Sequence, residues 1–183
     1  TIIDPQPSGD DSIIPFKMWD AQKGALSLLL TVRLLLIIKA RQLGETWLVL
    51  AYCLWVCLHH PNRAVLFFSR DLDGAKEMLK RVEGMYQRLR LKPVALVTNA
   101  KQELVWSNGS RMKSLAATKH AGSSYTASII VADEFAKMVW ADQMYTATKP
   151  AINDGAAQYI IISTGNGKEG LFAKLREQSL AGL

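Results

Sequence analysis

The chain has 183 residues, with 22 Lys and Arg against 16 Asp and Glu, and so carries a net charge of +6. At 49% hydrophobic and 21% charged residues it has the make-up of one globular domain, long enough to bury a core without staples, which excludes a disordered or collagen-like chain. The positive balance permits an anionic partner such as nucleic acid without establishing one.

Residues 1–15 (TIIDPQPSGDDSIIP) are rich in Pro, Asp and Ser, lack a basic n-region, and are expected to form an arm outside the core. Residues 16–31 carry Phe16, Trp19, Leu26 and Leu30 at helical spacing. The continuous apolar run 33–38 has the pattern of a strand buried on both faces, and a polar loop follows it at 39–46. Residues 46–59 form an apolar helix candidate. Within it Cys53 and Cys57, the two cysteines of the chain, share a face and are expected to be small buried hydrophobes, with no disulfide framework. The apolar runs 25–38 and 47–58 both fall short of the roughly 20 residues of a membrane span. A second buried strand is predicted at 64–69, and an amphipathic helix at 71–91. Short strands follow at 94–98, 103–107 and 111–116, the last two joined by the hairpin signal Asn108-Gly109. A buried strand at 128–132 ends in Asp133-Glu134, with a helix over 136–149. The strand 159–163 leads into Thr164-Gly165-Asn166, with a last helix at 170–178.

Strands alternating with helices predict an α/β fold with a mostly parallel central sheet flanked by helices. Such sheets bind ligands beyond the carboxyl ends of their strands, and polar clusters follow three of the strands, at 39–46, 133–134 and 163–166.

The first cluster is a departure from the P-loop pattern G-x-x-x-x-G-K-[ST], in which backbone amides and a helix N-terminus cradle phosphate. Gly44 occupies the second glycine position and Thr46 the hydroxyl position that binds Mg²⁺, but Lys39 replaces the first glycine and Glu45 the phosphate-binding lysine. Either the loop has lost nucleotide affinity or another cation, Lys39 or Arg41, serves in its place. An apolar strand ending in Asp133-Glu134 matches the Walker B element of strand-inserted P-loop ATPases, in which the Asp holds Mg²⁺ and the Glu polarises the attacking water. Hydroxyl residues at 163–164 stand where loss of the γ-phosphate is sensed.

Taken in order, Gln22, the string Ala40-Arg41-Gln42-Leu43-Gly44-Glu45-Thr46, Asp133-Glu134-Phe135-Ala136 and Ser163-Thr164-Gly165-Asn166 resemble the ATPase domain of the large terminase subunit, the DNA-packaging motor of tailed bacteriophages. The resemblance implies a RecA-like P-loop NTPase of the strand-inserted (ASCE) class, with ATP and Mg²⁺ as ligands. It implies adenine contact by Gln22, phosphate contact by Arg41, Gln42, Gly44, Glu45 and Thr46, and metal ligation by Thr46 and Asp133. Asp133 and Glu134 would be catalytic, and Ser163, Thr164 and Asn166 would couple hydrolysis to movement. Some terminases carry the Walker A lysine at the first loop position, which makes Lys39 the candidate here. The trans-acting cation of such motors has no arginine at its usual place upstream of Walker B; Arg111, Lys119 and Lys113 are the nearest cations, with Arg111 and Lys119 the candidates. Implied partners are double-stranded DNA, a portal, a small terminase subunit and further copies in a ring, in the host cytoplasm at the procapsid. The implied domain spans 16–183 after the 1–15 arm, with a nuclease domain outside this sequence. Helicase-like ATPases share this order of motifs, and a degenerate P-loop scaffold is the non-enzymatic alternative.

Overall fold

The computed structural model describes residues 2–3, 13–14, 16–40, 43–119, 125–153, 157–165, 167 and 169–181. Arg41, Gln42 and Asn166 therefore lie outside the described residues. In the arm, β1 (Ile2–Ile3) and β2 (Ile13–Ile14) pair antiparallel. The remaining elements are α1 (Asp20–Thr31), β3 (Leu34–Ile38), α2 (Glu45–His59), β4 (Ala64–Ser69), α3 (Leu72–Gln87), β5 (Leu96–Ala100), β6 (Glu103–Trp106), β7 (Arg111–Ala116), β8 (Ile129–Asp133), a 3-10 turn (Phe135–Lys137), α4 (Ala141–Asn153), β9 (Gln158–Ser163) and α5 (Gly170–Leu180).

Seven strands form one sheet in the order β3-β9-β8-β4-β7-β6-β5. Pairing is parallel from β3 through β7 and antiparallel between β7, β6 and β5. β9 lies between β3 and β8, so one strand separates the loop-bearing strand from the acid-bearing one. The period-2 alternation of strand side chains divides the core into two layers. Leu35, Ile37, Val65, Phe67, Val131, Ile160 and Ile162 face α1, α2 and α3, whereas Leu66, Phe68, Ile130, Tyr159 and Ile161 face the 3-10 turn, α4 and α5. Central strands buried on both faces need apolar residues at every position, which explains the unbroken runs.

The first strand departs from that expectation. β3 is the sheet's edge, and its terminal residues Leu34 and Ile38 are 42% and 49% exposed. An apolar run shows hydrophobicity, not the number of neighbours. The helix at 16–31 begins only at Asp20, and its buried residues are Gln22 and Leu29, not the Trp19 and Leu30 that the spacing picks out. The helix at 71–91 ends at Gln87, and the predicted helix 136–149 is a 3-10 turn followed by α4, which runs on through Pro150. Pro150 forfeits one N–H donor but does not end the helix. Cys53 and Cys57 are fully buried on α2, and burial pushes the Cys57 thiol up to about 12, as expected of inert core residues. Among the described residues no helix is long and apolar enough to cross a membrane.

Candidate nucleotide site

Because β3, β9, β8 and β4 are parallel, their carboxyl ends gather at one edge of the sheet. The register pairs Ile38 with Ser163 and Asp133 with Ile162, so Lys39, Asp133, Glu134 and Thr164 emerge side by side. The Lys39 backbone N–H donates to the Ser163 carbonyl at 3.1 Å, extending the ladder by one residue.

Lys39 turns inward. Its Nζ donates to Thr46 Oγ1 at 2.6 Å and pairs with Asp133 Oδ1 at 3.2 Å. The Thr46 hydroxyl donates to Asp133 Oδ2 at 3.0 Å, linking residues 87 positions apart. The Lys39 and Asp133 side chains are only 12% and 13% exposed. A cation, here an ammonium, is thus already cradled by a hydroxyl and a carboxylate. Both are hard oxygen donors of the kind Mg²⁺ takes when substrate phosphates complete its shell, so the residues fit that metal.

The loop glycine is held from two sides. Gly44 has φ +73°, the left-handed region, as the residue preceding the first turn of α2. A Cβ there would lie 2.8 Å from Gln22 Nε2. Gln22, 3% exposed, donates from Nε2 to the Leu43 carbonyl at 2.9 Å and accepts the Trp19 N–H on Oε1 at 3.0 Å. The residue singled out for adenine contact is therefore engaged in tying the start of α1 to the loop. Glu45 opens α2, where the helix dipole favours an acid, yet it is 7% exposed, and among the described residues nothing hydrogen-bonds its Oε2. Burial pushes its carboxyl up, and the Lys39 charge pulls it partly back.

Glu134 is one of two residues other than glycine with positive φ among those described, at φ 58° and ψ 31°. A non-glycine residue held there is uncommon and often marks a site. Its N–H donates to Asp133 Oδ1 at 3.0 Å, and its carboxylate pairs with the Lys137 ammonium across the 3-10 turn. Ser163, fully buried, accepts the Ala136 N–H on Oγ at 3.1 Å and donates to the Thr164 carbonyl at 2.9 Å. One serine thus joins the ends of β3 and β9 to the turn that carries Glu134.

These residues open onto a cleft of about 410 Å³, where Lys39, Glu134 and Thr164 meet Ser69, Arg70, Asp71 and Lys137. Arg70 and Lys137 are missed by the sequence reading. Arg70 directly follows the strand 64–69, and inspecting that strand's tip like the other three would have found it. Arg70 pairs with Asp71 at 3.0 Å, and Asp71 caps α3 by accepting the Gly74 N–H at 2.8 Å. That bond, with the Arg70 contact, holds the Asp71 carboxyl below its ordinary value. Gly74 must be small, since a Cβ would lie 2.6 Å from Ser69 Oγ. A larger hollow of about 460 Å³ lies among Phe16, Trp47, Trp55, Met85 and Leu89. Its lining is mostly apolar, with Arg88 and His59 at its edge, and includes none of the strand-tip groups.

The candidate trans-acting cations lie apart. Arg111 begins β7 opposite Ala64, at the far end of the sheet from the cleft, and is exposed. Lys119 lies three residues beyond β7, at the cleft's end of the sheet, and is also exposed.

A mostly parallel sheet with one strand between the loop strand and the acid strand, a left-handed glycine before the following helix, and a Thr–Asp–Lys cluster at the strand tips together define a P-loop NTPase fold of the strand-inserted class. The family model for the N-terminal part of the T4-like-virus type of terminase large subunit matches residues 36–180, and the chain belongs to that family. Its fold is similar to that of the large terminase of bacteriophage HK97 (TM-score 0.72, 16% identity, over 92% of this chain and 38% of that one). It is also similar to the large terminase of a thermophilic bacteriophage (TM-score 0.70, 11% identity, 88% and 43%), a protein also known in complex with ADP and with ATP-γ-S. The ATPase domain of the large terminase of Thermus phage P74-26 matches with TM-score 0.62 at 16% identity, over 86% of this chain and 68% of that one. The chain spans about two-fifths of the first two of these proteins. No curated protein matches in sequence.

Proposed function

We propose that residues 16–183 are an ATPase domain, that 1–15 are an arm, and that within a longer chain the domain drives double-stranded DNA into a procapsid. In that reading it works as one of a ring of copies at the portal, with a small terminase subunit, in the host cytoplasm. The observation that carries the proposal is the Lys39 ammonium seated between Thr46 Oγ1 and Asp133 Oδ1, at 2.6 and 3.2 Å. The family and the nucleotide complexes of the thermophilic-phage relative support it.

Lys39 stands at the shifted Walker A position and would leave Asp133 for the phosphates. Arg41, Gln42 and the Gly44 amide are proposed to join it there. Thr46 and Asp133 would hold Mg²⁺, which when bound neutralises charge across the β- and γ-phosphates. Glu45, at the usual lysine position, is buried at the start of α2, where its carboxyl interacts with the Lys39 charge. Glu134 would orient the attacking water and take its proton as the bond from the γ-phosphorus to the leaving ADP oxygen breaks. Ser163, Thr164 and Asn166 would pass the change in the turn to the surface that grips DNA. Gln22 would set the loop against α1 and so place the adenine side of the site. Contact with DNA would run to phosphates. The trans-acting cation would be Lys119, at the cleft's end of the sheet, sooner than Arg111.

Phosphate release and equilibrium binding of a fluorescent ATP analogue test the proposal. Glu134→Gln should lose turnover by about 100-fold or more without any loss of affinity. Turnover equal to the parent's would remove Glu134 from its assigned role, and no nucleotide binding by the parent would favour a scaffold.

A further inference from the structure

We propose that Lys137 is a second cation of the nucleotide site, held by Glu134 when the site is empty and passed to the terminal phosphate of ATP when it fills. The inference rests on the ATPase reading above and deepens it.

The Lys137 ammonium and the Glu134 carboxylate form an ion pair three residues apart, with side chains 28% and 31% exposed, on the wall of the cleft that also holds Lys39 and Thr164. The pair occupies Oε2, one of the two oxygens of the proposed base. While Lys137 is bound there, the ammonium stands where the attacking water would meet the Glu134 carboxylate. The pair is also easily opened, because partly exposed ion pairs add little net stability. A terminal phosphate carries more negative charge than one carboxylate and offers several acceptor oxygens, so it is the stronger partner for the same ammonium.

The backbone around the pair is fixed. Glu134 sits in the left-handed region, the Lys137 N–H donates to the Glu134 carbonyl at 2.9 Å, and the Ala136 N–H between them is bonded to buried Ser163 Oγ at 3.1 Å. The exchange thus needs only rotation of the four-carbon lysine stem, with no movement of the chain. The arrangement repeats around the cleft. Lys39 is neutralised by Asp133 and Arg70 by Asp71, so among the described residues the other two cations that line the cleft are also paired with acids. The Lys137 exchange differs in what it releases. It frees Glu134 only when a terminal phosphate is present, and the pair re-forms when ADP alone remains. Lys137 is thereby a phosphate-binding residue and a positioning residue for Glu134.

Opposite shifts in affinity distinguish this from a structural ion pair. Binding of a non-hydrolysable ATP analogue and of ADP is measured on the intact chain and on Lys137→Met, Lys137→Arg, Glu134→Gln and the double variant Lys137→Met/Glu134→Gln. Lys137→Met should weaken the analogue by about ten-fold while ADP stays within about two-fold, the size expected for one charge-assisted contact to the last phosphate. Lys137→Arg should retain most of the affinity, which also controls for folding. Glu134→Gln should tighten the analogue by about three-fold by removing the competing acid, and the double variant should bind like Lys137→Met, since no cation is left to release. Equal losses for ADP and the analogue, or an unchanged Lys137→Met, would overturn the exchange while leaving the ATPase reading intact. Failure of the parent chain to bind the analogue would overturn both.

Discussion

Replacing Lys39 with Met is the most informative perturbation of this site, because stability and ligand binding must both respond. The ammonium and the Asp133 carboxylate are 3.2 Å apart and 12–13% exposed. At an effective dielectric constant of about 20, their attraction before desolvation is about 5 kcal/mol. Much of that is offset by the cost of removing both charges from water, so the pair's net worth is small. The cost of breaking it is not, because the variant leaves Asp133 buried without its cation. Loss of one partner from a buried pair costs about 3–5 kcal/mol. Asp133 keeps the Thr46 hydroxyl at 3.0 Å and the Glu134 N–H at 3.0 Å, which places Lys39→Met at the lower end, at about 3 kcal/mol. Asp133→Asn removes the stranded charge, so the double variant Lys39→Met/Asp133→Asn should lie within about 1 kcal/mol of the parent. Urea unfolding of the four proteins measures the cycle, and binding of an ATP analogue measures the ligand side. Affinity should fall in Lys39→Met and should not return in the double variant, because stability depends on charge balance and binding on the cation itself. A single variant that unfolds within about 0.5 kcal/mol of the parent and binds nucleotide normally would refute both the energetic reasoning and the shifted-lysine assignment.

Two further changes probe the loop. Gly44→Ala places a Cβ at φ +73°, 2.8 Å from Gln22 Nε2, so it should cost about 1–2 kcal/mol in urea unfolding from the backbone alone, and should weaken nucleotide binding as Gln22 releases Leu43; a neutral result would show that the loop does not need this geometry. Glu45 is raised by burial above its ordinary 4.5, so the folded chain binds its proton more tightly than the unfolded chain, and stability should fall as pH rises from 4.5 through the raised value. Glu45→Gln should remove that slope and be the more stable protein at neutral pH by about 1 kcal/mol, and urea midpoints that run parallel for the two proteins across this range would contradict the assigned cause.

The strand–helix alternation was legible because central parallel strands must be apolar at every position, and Phe67-Phe68, Ile130-Val131 and Ile161-Ile162 leave no other interpretation of their runs. What such runs cannot show is sheet order. β3 has the same composition as its neighbours and is an edge, since exposure at Leu34 and Ile38 depends on whether another strand lies beside them. The short helix at 16–31 misled for a related reason. Its buried face carries Gln22, a polar residue satisfied by backbone partners from Trp19 and Leu43, and a hydrophobicity pattern gives no weight to such a position.

The site divides in the same way. Asp133, Glu134, Thr46 and Ser163 were legible because each stands at a strand tip or a helix start, where topology alone fixes the backbone. The partners were not, because a pairing depends on rotamers. Lys39 could have pointed to solvent like any loop lysine; it is held inward because Thr46 and Asp133 offer two acceptors at one point. Lys137 gave no signal of its own in the sequence, since a lysine three residues after a glutamate is common on any helical turn. It acquires meaning only because Glu134 is in the left-handed region and Ser163 fixes the intervening Ala136, which together hold both side chains on the cleft wall. Acids at strand tips therefore mark a candidate site from sequence, but the cations that pair with them are chosen by three-dimensional proximity. Among the described residues the three cations that line the cleft, Lys39, Arg70 and Lys137, are each paired with an acid, and in the proposed reading a polyphosphate takes these partners by exchange.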